Sequence, residues 1–465
     1  MYMIFKKNNL QKFSYIKIVL IVSMCICQVS CKKYLDKKPS QNLAVPSNLS
    51  DLQAVLDNQV ANETSPDYPE FLADNYFLTT SSWNTIGTDE RNNYIWDKNA
   101  GLPVNHSEWS NPYRAIYYSN FVLDLLPKVS VKDNEQHIYN SIRGTALFYR
   151  AFMFNQLAQL FCKPYTSSAS NDLGIVLKLT ADVQSPIVRS TVEETYQQII
   201  SDLKTAAENL PETGLFPTRP NKGAAYGLLA RVYLSMREYE KARISANTAL
   251  SYNNTLLDYN LLVPAGNPNL PSNFIDNPEV LFASYSSNAV FDPSHLAEID
   301  TLLYQSYNIN DLRSKVFFGT NGTKHYWKGS YYSLNLSFTI FDGVSTDEIF
   351  LIRAECKARA GDKDSAMADL NTLLRKRWTT GTFTDLVANN APEALSMVLT
   401  ERRKELCFRG LRWTDLRRFN LEGANITLTR IINGNTYTLP PNDLRWVVQI
   451  PDFEITRSGI AQNPR

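Results

Sequence analysis

Two alanine-spaced segments constrain this chain's fold more than any other feature. Tyr226, Leu229, Ala230, Tyr233, Ala242, Ala246 and Ala249 recur at helical spacing on either side of a short break, Arg237 to Tyr239. Small residues at Ala230 and Ala242 let two antiparallel helices approach closely, so the segment predicts a helical hairpin. Phe350, Ala354, Ala366, Leu370 and Leu373 repeat the pattern, with Gly361-Asp362 at the turn and the same separation between the two key alanines. A generic hairpin explains one such segment; two with equal alanine separation favour a repeat.

The offsets are those of a tetratricopeptide repeat (TPR), whose hairpins bury their apolar faces only against neighbours. The two copies are not contiguous. Leu261 to Ser345 is rich in Asn, Ser, Tyr and Phe and reads as long loops with short strands and one short helix, Ser294 to Leu303, so a regular solenoid is excluded. Helical period also marks a helix from about Ser50, one from Pro112, a long apolar one over residues 136–162, and one over Val387 to Phe408. Thr191 to Leu210 is amphipathic, with a Thr191/Glu194 capping box and Pro211 as its stop. Residues 74–112 lack helical period and read as irregular loop. Ile426 to Tyr437 carries Asn433-Gly434-Asn435 between β-branched runs, a hairpin signal, and Trp446 to Ile450 reads as a short strand. The expected fold is mainly α. TPR-like hairpins (about 112–255 and 346–420) form a scaffold, joined by a loop-rich insert (about 261–345) and a few short strands, within a single domain over 49–465.

The N-terminus carries a different instruction. Lys6, Lys7, Lys12 and Lys17 precede an apolar run, Ile18 to Ile26, and no acid occurs before Asp36. This is the layout of a secretory signal peptide, and the run is too short for the roughly 20 residues of a spanning helix. Ser30 followed by Cys31 is the arrangement that lipoprotein signal peptidase reads, although Gln28 stands where an apolar residue is usual. Residues 1–30 are thus expected to be removed, Cys31 acylated, and residues 31–48 left as a polar tether. Several acyl chains anchor stably, since each buried CH₂ contributes about 0.8 kcal/mol. An ordinary secretory signal and an uncleaved anchor are the alternatives.

Charge and cysteine content narrow the function. The chain has 47 basic and 46 acidic side chains, and four lysines precede Cys31, so the remainder carries three more acids than bases. No basic excess points to nucleic acid. Cys162, Cys356 and Cys407 do not make a disulfide framework and read as buried thiols. His106, His137, His295 and His325 show no metal-ligand spacing, and no nucleophile or cofactor motif appears. Glu401 and Glu405 share a helix face. As a catalytic pair they need one raised pKa, which flanking arginines oppose, so a network with Arg402, Arg409, Arg412 and Arg417 is the expected role.

Four segments, read together, resemble the SusD/RagB family of nutrient-binding outer-membrane lipoproteins. They are TERRKELCFRGLRWTDLRRFN (Thr400 to Asn420), IPDFEITRSGIAQNP (Ile450 to Pro464), EIFLIRAECKARAG (348–361) and WSNPYRAIYYSN (109–120). The family's pattern is met at Glu401, Arg402, Glu405, Leu406, Gly410, Arg412, Asp415, Leu416 and Arg418. Its terminal pattern is met at Ile450, Pro451, Glu454, Ile455, Gln462, Asn463 and Pro464. Arg409 replaces a usual Glu, and Arg457-Ser458 an internal Asn-Pro. The resemblance implies a cell-surface protein that binds an oligosaccharide, or in some branches a peptide, and passes it to a SusC-like, TonB-dependent outer-membrane transporter. It implies no catalysis and no cofactor.

Sugar binding needs a flat aromatic face for the CH face of a pyranose, and amide or charged groups for its hydroxyls. The stretch Asn75 to Trp96 supplies both. Trp83 beside Asn84 is the leading candidate, with Asn75, Arg91 and Trp96; Tyr285 and Trp327 form a second candidate platform. Core packing is the competing role for Trp96 and Trp327, and the expected one for Trp109, Tyr113, Trp378, Trp413 and Trp446. Two other functions remain open on sequence: a TPR-type surface adaptor that binds peptide or protein, and a lipid-anchored glycan hydrolase.

Overall fold

The structure is a computed structural model that describes residues 46–58, 64–102, 107–262, 270–271, 276–291, 297–331 and 339–465. Cys31, the signal segment and most of the tether lie outside the described residues, as do His106 and His295. Asn48 to Arg465 form one unit.

Asn48 starts helix α1 (Leu49–Leu56), its side chain accepting from Asp51 N at 2.9 Å. The stretch expected to be irregular is instead a short strand (Tyr76–Leu78) and two short helices, α2 (Thr80–Thr85) and α3 (Thr88–Tyr94). Each helix spans two turns or fewer, so no apolar period can accumulate in the sequence. Their ends carry the signal instead: Thr79 caps α2, and Asp89 and Glu90 sit in the first turn of α3. Helix α4 (Ser107–Leu125) begins before Pro112, which lies inside it.

The long apolar helix is α5 (Gln136–Phe161), buried almost continuously from Gly144. Helix α6 (Val192–Asn209) has the predicted capping box: Thr191 Oγ1 accepts from Glu194 N at 3.1 Å, and Glu194 accepts from Thr191 N at 2.8 Å. The first alanine segment is the hairpin α7 (Lys222–Ser235) and α8 (Tyr239–Tyr252), turned at Arg237 with a φ of 62°. The second is α9 (Thr346–Arg359) and α10 (Lys363–Leu374), turned at Gly361 with a φ of 88°, where a glycine avoids Cβ strain. Ala230, Ala242, Ala354 and Ala366 are fully buried. Helices α11 (Ala391–Glu405) and α12 (Arg412–Leu421) follow. From α4 to α9 each helix packs on the next, and α9 also carries α10 and α11. Two hairpins distant in sequence are therefore neighbours in space, and the insert leaves and rejoins the helical stack between them.

Strands of the insert pair locally or with distant segments. Val280–Phe282 pairs with Val344–Ser345, Tyr285–Ser287 with Thr339–Phe341, and Phe318–Asn321 with Lys324–Trp327, all antiparallel. Where one helix was expected from Ser294 to Leu303, the described residues give a strand, Ala297–Ile299, and a helix only at Thr301–Gln305. That strand pairs with Tyr76–Leu78, so a tertiary partner overrides local preference. The C-terminal hairpin forms as predicted, with Asn433 and Gly434 both at positive φ between Leu428–Ile432 and Asn435–Leu439. Trp446 to Ile450 does not form a strand. Its start is a 3₁₀ turn, and Val448 N donates to Leu160 O at the end of α5 (2.9 Å) rather than to a sheet. Cys162, Cys356 and Cys407 are free and buried.

Ion pairs hold the insert to the scaffold. Arg313 donates to Asp311, Glu401 and Glu405 at 2.6, 2.5 and 3.1 Å. Arg377 donates to Glu279 and Glu405, each at 2.7 Å. The arginines expected to serve Glu401 and Glu405 have other partners: Arg402 binds Asp415, Arg409 Asp347 and Arg412 Asp74, while Arg417 donates to main-chain carbonyls. Sequence proximity suggested the wrong pairs because Arg402 faces Asp415 of α12, while Arg409, Arg412 and Arg417 lie beyond the end of α11 and pack on other segments. Removing one partner of a buried pair strands the other charge, at a cost of about 3–5 kcal/mol. Arg377→Ala should lower unfolding stability by that amount, as measured by urea unfolding followed by circular dichroism.

Candidate ligand-binding face

Helices α2 and α3 are joined at Ile86-Gly87 and present Trp83, Asn84 and Arg91 together. The Trp83 indole is half-buried. Its Nε1 donates to Arg91 O at 3.2 Å, and the Arg91 guanidinium lies 5.3 Å from the ring centroid. Arg91 is itself steadied by donating to Thr88 Oγ1 at 3.0 Å. Asn84 is exposed beside the ring. The group has a fixed aromatic face, an accessible amide and a cation, which suits stacking and hydroxyl contacts.

Asn75, Trp96 and Trp327 do not join it. Asn75 is fully buried and donates to Glu70 Oε1 at 2.8 Å. Trp96 takes the left-handed conformation just past α3 (φ 51°), which turns its ring inward to donate to Leu72 O and to lie beside Arg430. Trp327 is buried and stacked on Phe408, with centroids 4.7 Å apart. None offers a ring or amide face to a ligand, so these three expectations are corrected: their polar sequence surroundings belong to short, well-packed elements. Tyr285 is half-buried in its strand. Its strand pairs with Thr339–Phe341, and Ser65 N donates to Tyr285 O at 2.9 Å. Trp109, Trp413 and Trp446 are core residues as expected.

A cavity of about 850 Å³, to which no sequence motif pointed, lies between the Thr301–Gln305 helix, α11 and α12. Leu302, Leu399, Phe419 and Ile426 give it apolar walls, and Arg403 and Arg412 line its base. Asp74 already binds both cations, and they hold its carboxyl at about 2. The only sequence signal was the pair of arginines in the segment that follows Glu401.

Behind the face lie three buried carboxyl groups, Asp67, Glu108 and Asp342. Glu108 accepts from Asp67 N and Tyr68 N, both at 3.1 Å. Burial pushes Asp67 and Asp342 up to about 7 and raises Glu108 further, with mutual repulsion adding to it. Among the described residues no group of three or more His, Cys, Asp and Glu is arranged to hold a metal, and no helix is long and apolar enough to cross a membrane.

The family described as "Starch-binding associating with outer membrane" matches residues 33–234, and the SusD family matches residues 347–464. The chain belongs to the SusD/RagB family. Among SusD relatives, SusD-like protein P2 of Formosa agariphila is 25% identical over 253 residues. That match covers 52% of this chain and 46% of that protein, so the chain spans about half the length of the curated relative it matches. Solved structures share the fold over nearly the whole chain. A SusD superfamily protein from Bacteroides thetaiotaomicron has a TM-score of 0.75 at 23% identity, covering 90% of this chain and 100% of that one. A putative sugar-binding protein from Bacteroides vulgatus gives 0.73 at 24% identity, covering 90% and 99%. A laminarin-binding SusD-like protein gives 0.65 at 18% identity, covering 90% and 100%.

The raised carboxyl groups make stability depend on pH. Asp342 has an ordinary value of 3.8 and a folded value of about 7. Below about pH 4 both folded and unfolded chains hold the proton. Between about 4 and 7 the unfolded chain releases it and the folded chain keeps it, so stability falls as pH rises. Asp342→Asn, which cannot ionise, should gain on the wild type across this window and keep the gain above it, by at most about 4 kcal/mol. Thermal unfolding at pH 4 and pH 8 measures this; a difference independent of pH contradicts the assignment.

Proposed function

We propose that this SusD-family protein is a surface lipoprotein, anchored through Cys31, that binds oligosaccharide at the Trp83 face and delivers it to a SusC-like, TonB-dependent transporter in the outer membrane. The observation that carries the reading is the half-buried Trp83 indole, held by Arg91 and flanked by the exposed amide of Asn84. The sugar-binding and laminarin-binding names of structural relatives support the ligand class. Tyr285 extends the candidate face. The state of Glu401 and Glu405 supports binding rather than hydrolysis: both are held by buried cations, whereas glycoside hydrolysis needs two carboxyl groups flanking the scissile bond.

Trp83→Ala should weaken binding to the natural oligosaccharide by tenfold or more, since losing an aromatic hot spot costs about 2 kcal/mol or more. Calorimetry checks the affinity, and thermal unfolding run alongside checks that the fold survives. Unchanged affinity places the site elsewhere.

The anchor and the partner are tested together. Cys31→Ala should abolish incorporation of labelled fatty acid and release the protein from outer membranes. Wild-type protein isolated from those membranes should bring a TonB-dependent barrel with it; isolation without one contradicts the partnership.

A further inference from the structure

Nine arginines among the described residues are buried. Seven of them, including Arg313, Arg377 and Arg418, touch a carboxylate. Arg430 lies over the rings of Tyr76, Tyr94 and Trp96. Arg417, on α12, has neither kind of partner. It is 4% exposed, donates to the main-chain carbonyls of Gln159 and Cys162, and leaves its Nε without an acceptor. Burial with no counter-charge pulls it down to about 10.

The carbonyls it meets are the C-terminal end of α5, which carries roughly half a negative charge. That end is already served by a second guanidinium: Arg189 donates to Phe161 O at 3.2 Å, and its other acceptors are also neutral, among them Gly174 O and Asn463 Oδ1. Two whole positive charges therefore face about half a negative one.

Arg417 lines a hollow of about 300 Å³ between α12, residues 163–172 and the turn at 442–447. The hollow shares Lys163, Asp172, Leu444 and Val447 with a neighbouring one of about 190 Å³, which Asn463 also lines. Asp172 and Asp443 lie in its wall, but each has its own cation, Lys163 at 2.7 Å and Arg445 at 2.9 Å. The charge left over in the wall is Arg417. The rest of the lining pairs apolar Leu421, Leu444 and Trp446 with the amides of Asn420 and Asn442 and the hydroxyl of Thr166. Volume and lining fit one sugar ring, and the surplus charge asks that ring to be anionic.

We propose that this hollow is a second carbohydrate subsite, specific for a carboxylate-bearing sugar residue such as a uronic acid, with its carboxylate set against Arg417. The sugar part of this inference rests on the glycan-binding reading; the anion part rests on Arg417 alone.

Full-length protein in detergent is titrated with D-glucuronate, D-glucose and acetate, and binding is followed by calorimetry. Glucuronate should saturate in the millimolar range, with glucose and acetate each at least about tenfold weaker. Leu444→Trp fills the hollow from its rim, leaves the bonds of Arg417 in place, and should weaken glucuronate at least tenfold. Arg417→Gln should do the same where it folds. Trp83→Ala should leave glucuronate binding unchanged. No saturation by glucuronate, or equal binding to Leu444→Trp, overturns the proposal, and acetate binding as tightly as glucuronate overturns the sugar assignment. If oligosaccharide binding at Trp83 persists while glucuronate fails, this inference alone falls. If glucuronate binds and Trp83→Ala leaves oligosaccharide affinity unchanged, only the Trp83 reading falls.

Discussion

Glu405 joins the two halves of the molecule. One of its oxygens accepts from Arg377 and the other from Arg313. Arg313 belongs to the insert, and Arg377 follows the second TPR-like hairpin, so a single carboxylate on α11 fixes all three segments at one point. Lys404 adds a third cation, bound to Glu401 and Asp311. Three cations thus meet four carboxyl groups. Burial pushes the fourth, Glu279, up to about 7, which eases the excess of negative charge. Such networks add little net stability over an apolar core, because desolvation offsets the Coulomb gain. Their effect here is on geometry: an insert of short two-stranded pieces has no large core of its own, and the network specifies where it sits.

The same logic extends to the proposed ligand face. Asp74, just ahead of the strand that leads to α2, accepts from Arg412 and Arg403, and Arg403 also reaches Asp300. Asp300 N donates to Asn75 O, closing the link between that strand and its partner in the insert. The charged segment after Glu401 therefore acts on the site from a distance. It holds the base from which α2 and α3 project, and on that base Trp83 and Arg91 stay half-buried while Asn84 is exposed. A short helix on a rigid base can present an aromatic ring with little entropy left to lose on binding.

The helical scaffold was legible because its signals are local. Alanine spacing, the Thr191/Glu194 box and Asn433-Gly434 each encode their structure within a few residues. The site was legible only in part. Trp83 and Asn84 stood among polar residues and are accessible, but Trp96, Trp327 and Asn75 had equally polar neighbours and are buried. What separates them is long-range: Arg430 comes from the C-terminal hairpin to cover Trp96, and Phe408 from the end of α11 to cover Trp327. The partners of Glu401 and Glu405 were hidden for the same reason, since Arg313 and Arg377 lie far from them in sequence. Arg417 gave no signal at all, because its distinction is the lack of a partner, which only packing reveals.

The modest size of the Trp83 face fits the proposed role in delivery. A fully buried Trp removes about 150–250 Å² from water, and the Trp83 ring, already mostly covered, has at most roughly 50–90 Å² left to offer. At about 25 cal/mol per Å² that contributes roughly 1–2 kcal/mol. Hydrogen bonds to Asn84 and Arg91 add about 1 kcal/mol each. The total lies near the −4 kcal/mol of a millimolar complex and far from the −12 of a nanomolar one. With an ordinary association rate near 10⁶ M⁻¹s⁻¹, a millimolar site releases its cargo about a thousand times per second. A tighter platform would hold glycan at the surface more efficiently and hand it to a transporter more slowly. The partly sunken indole is therefore suited to passing cargo on, with retention left to whatever closes over it.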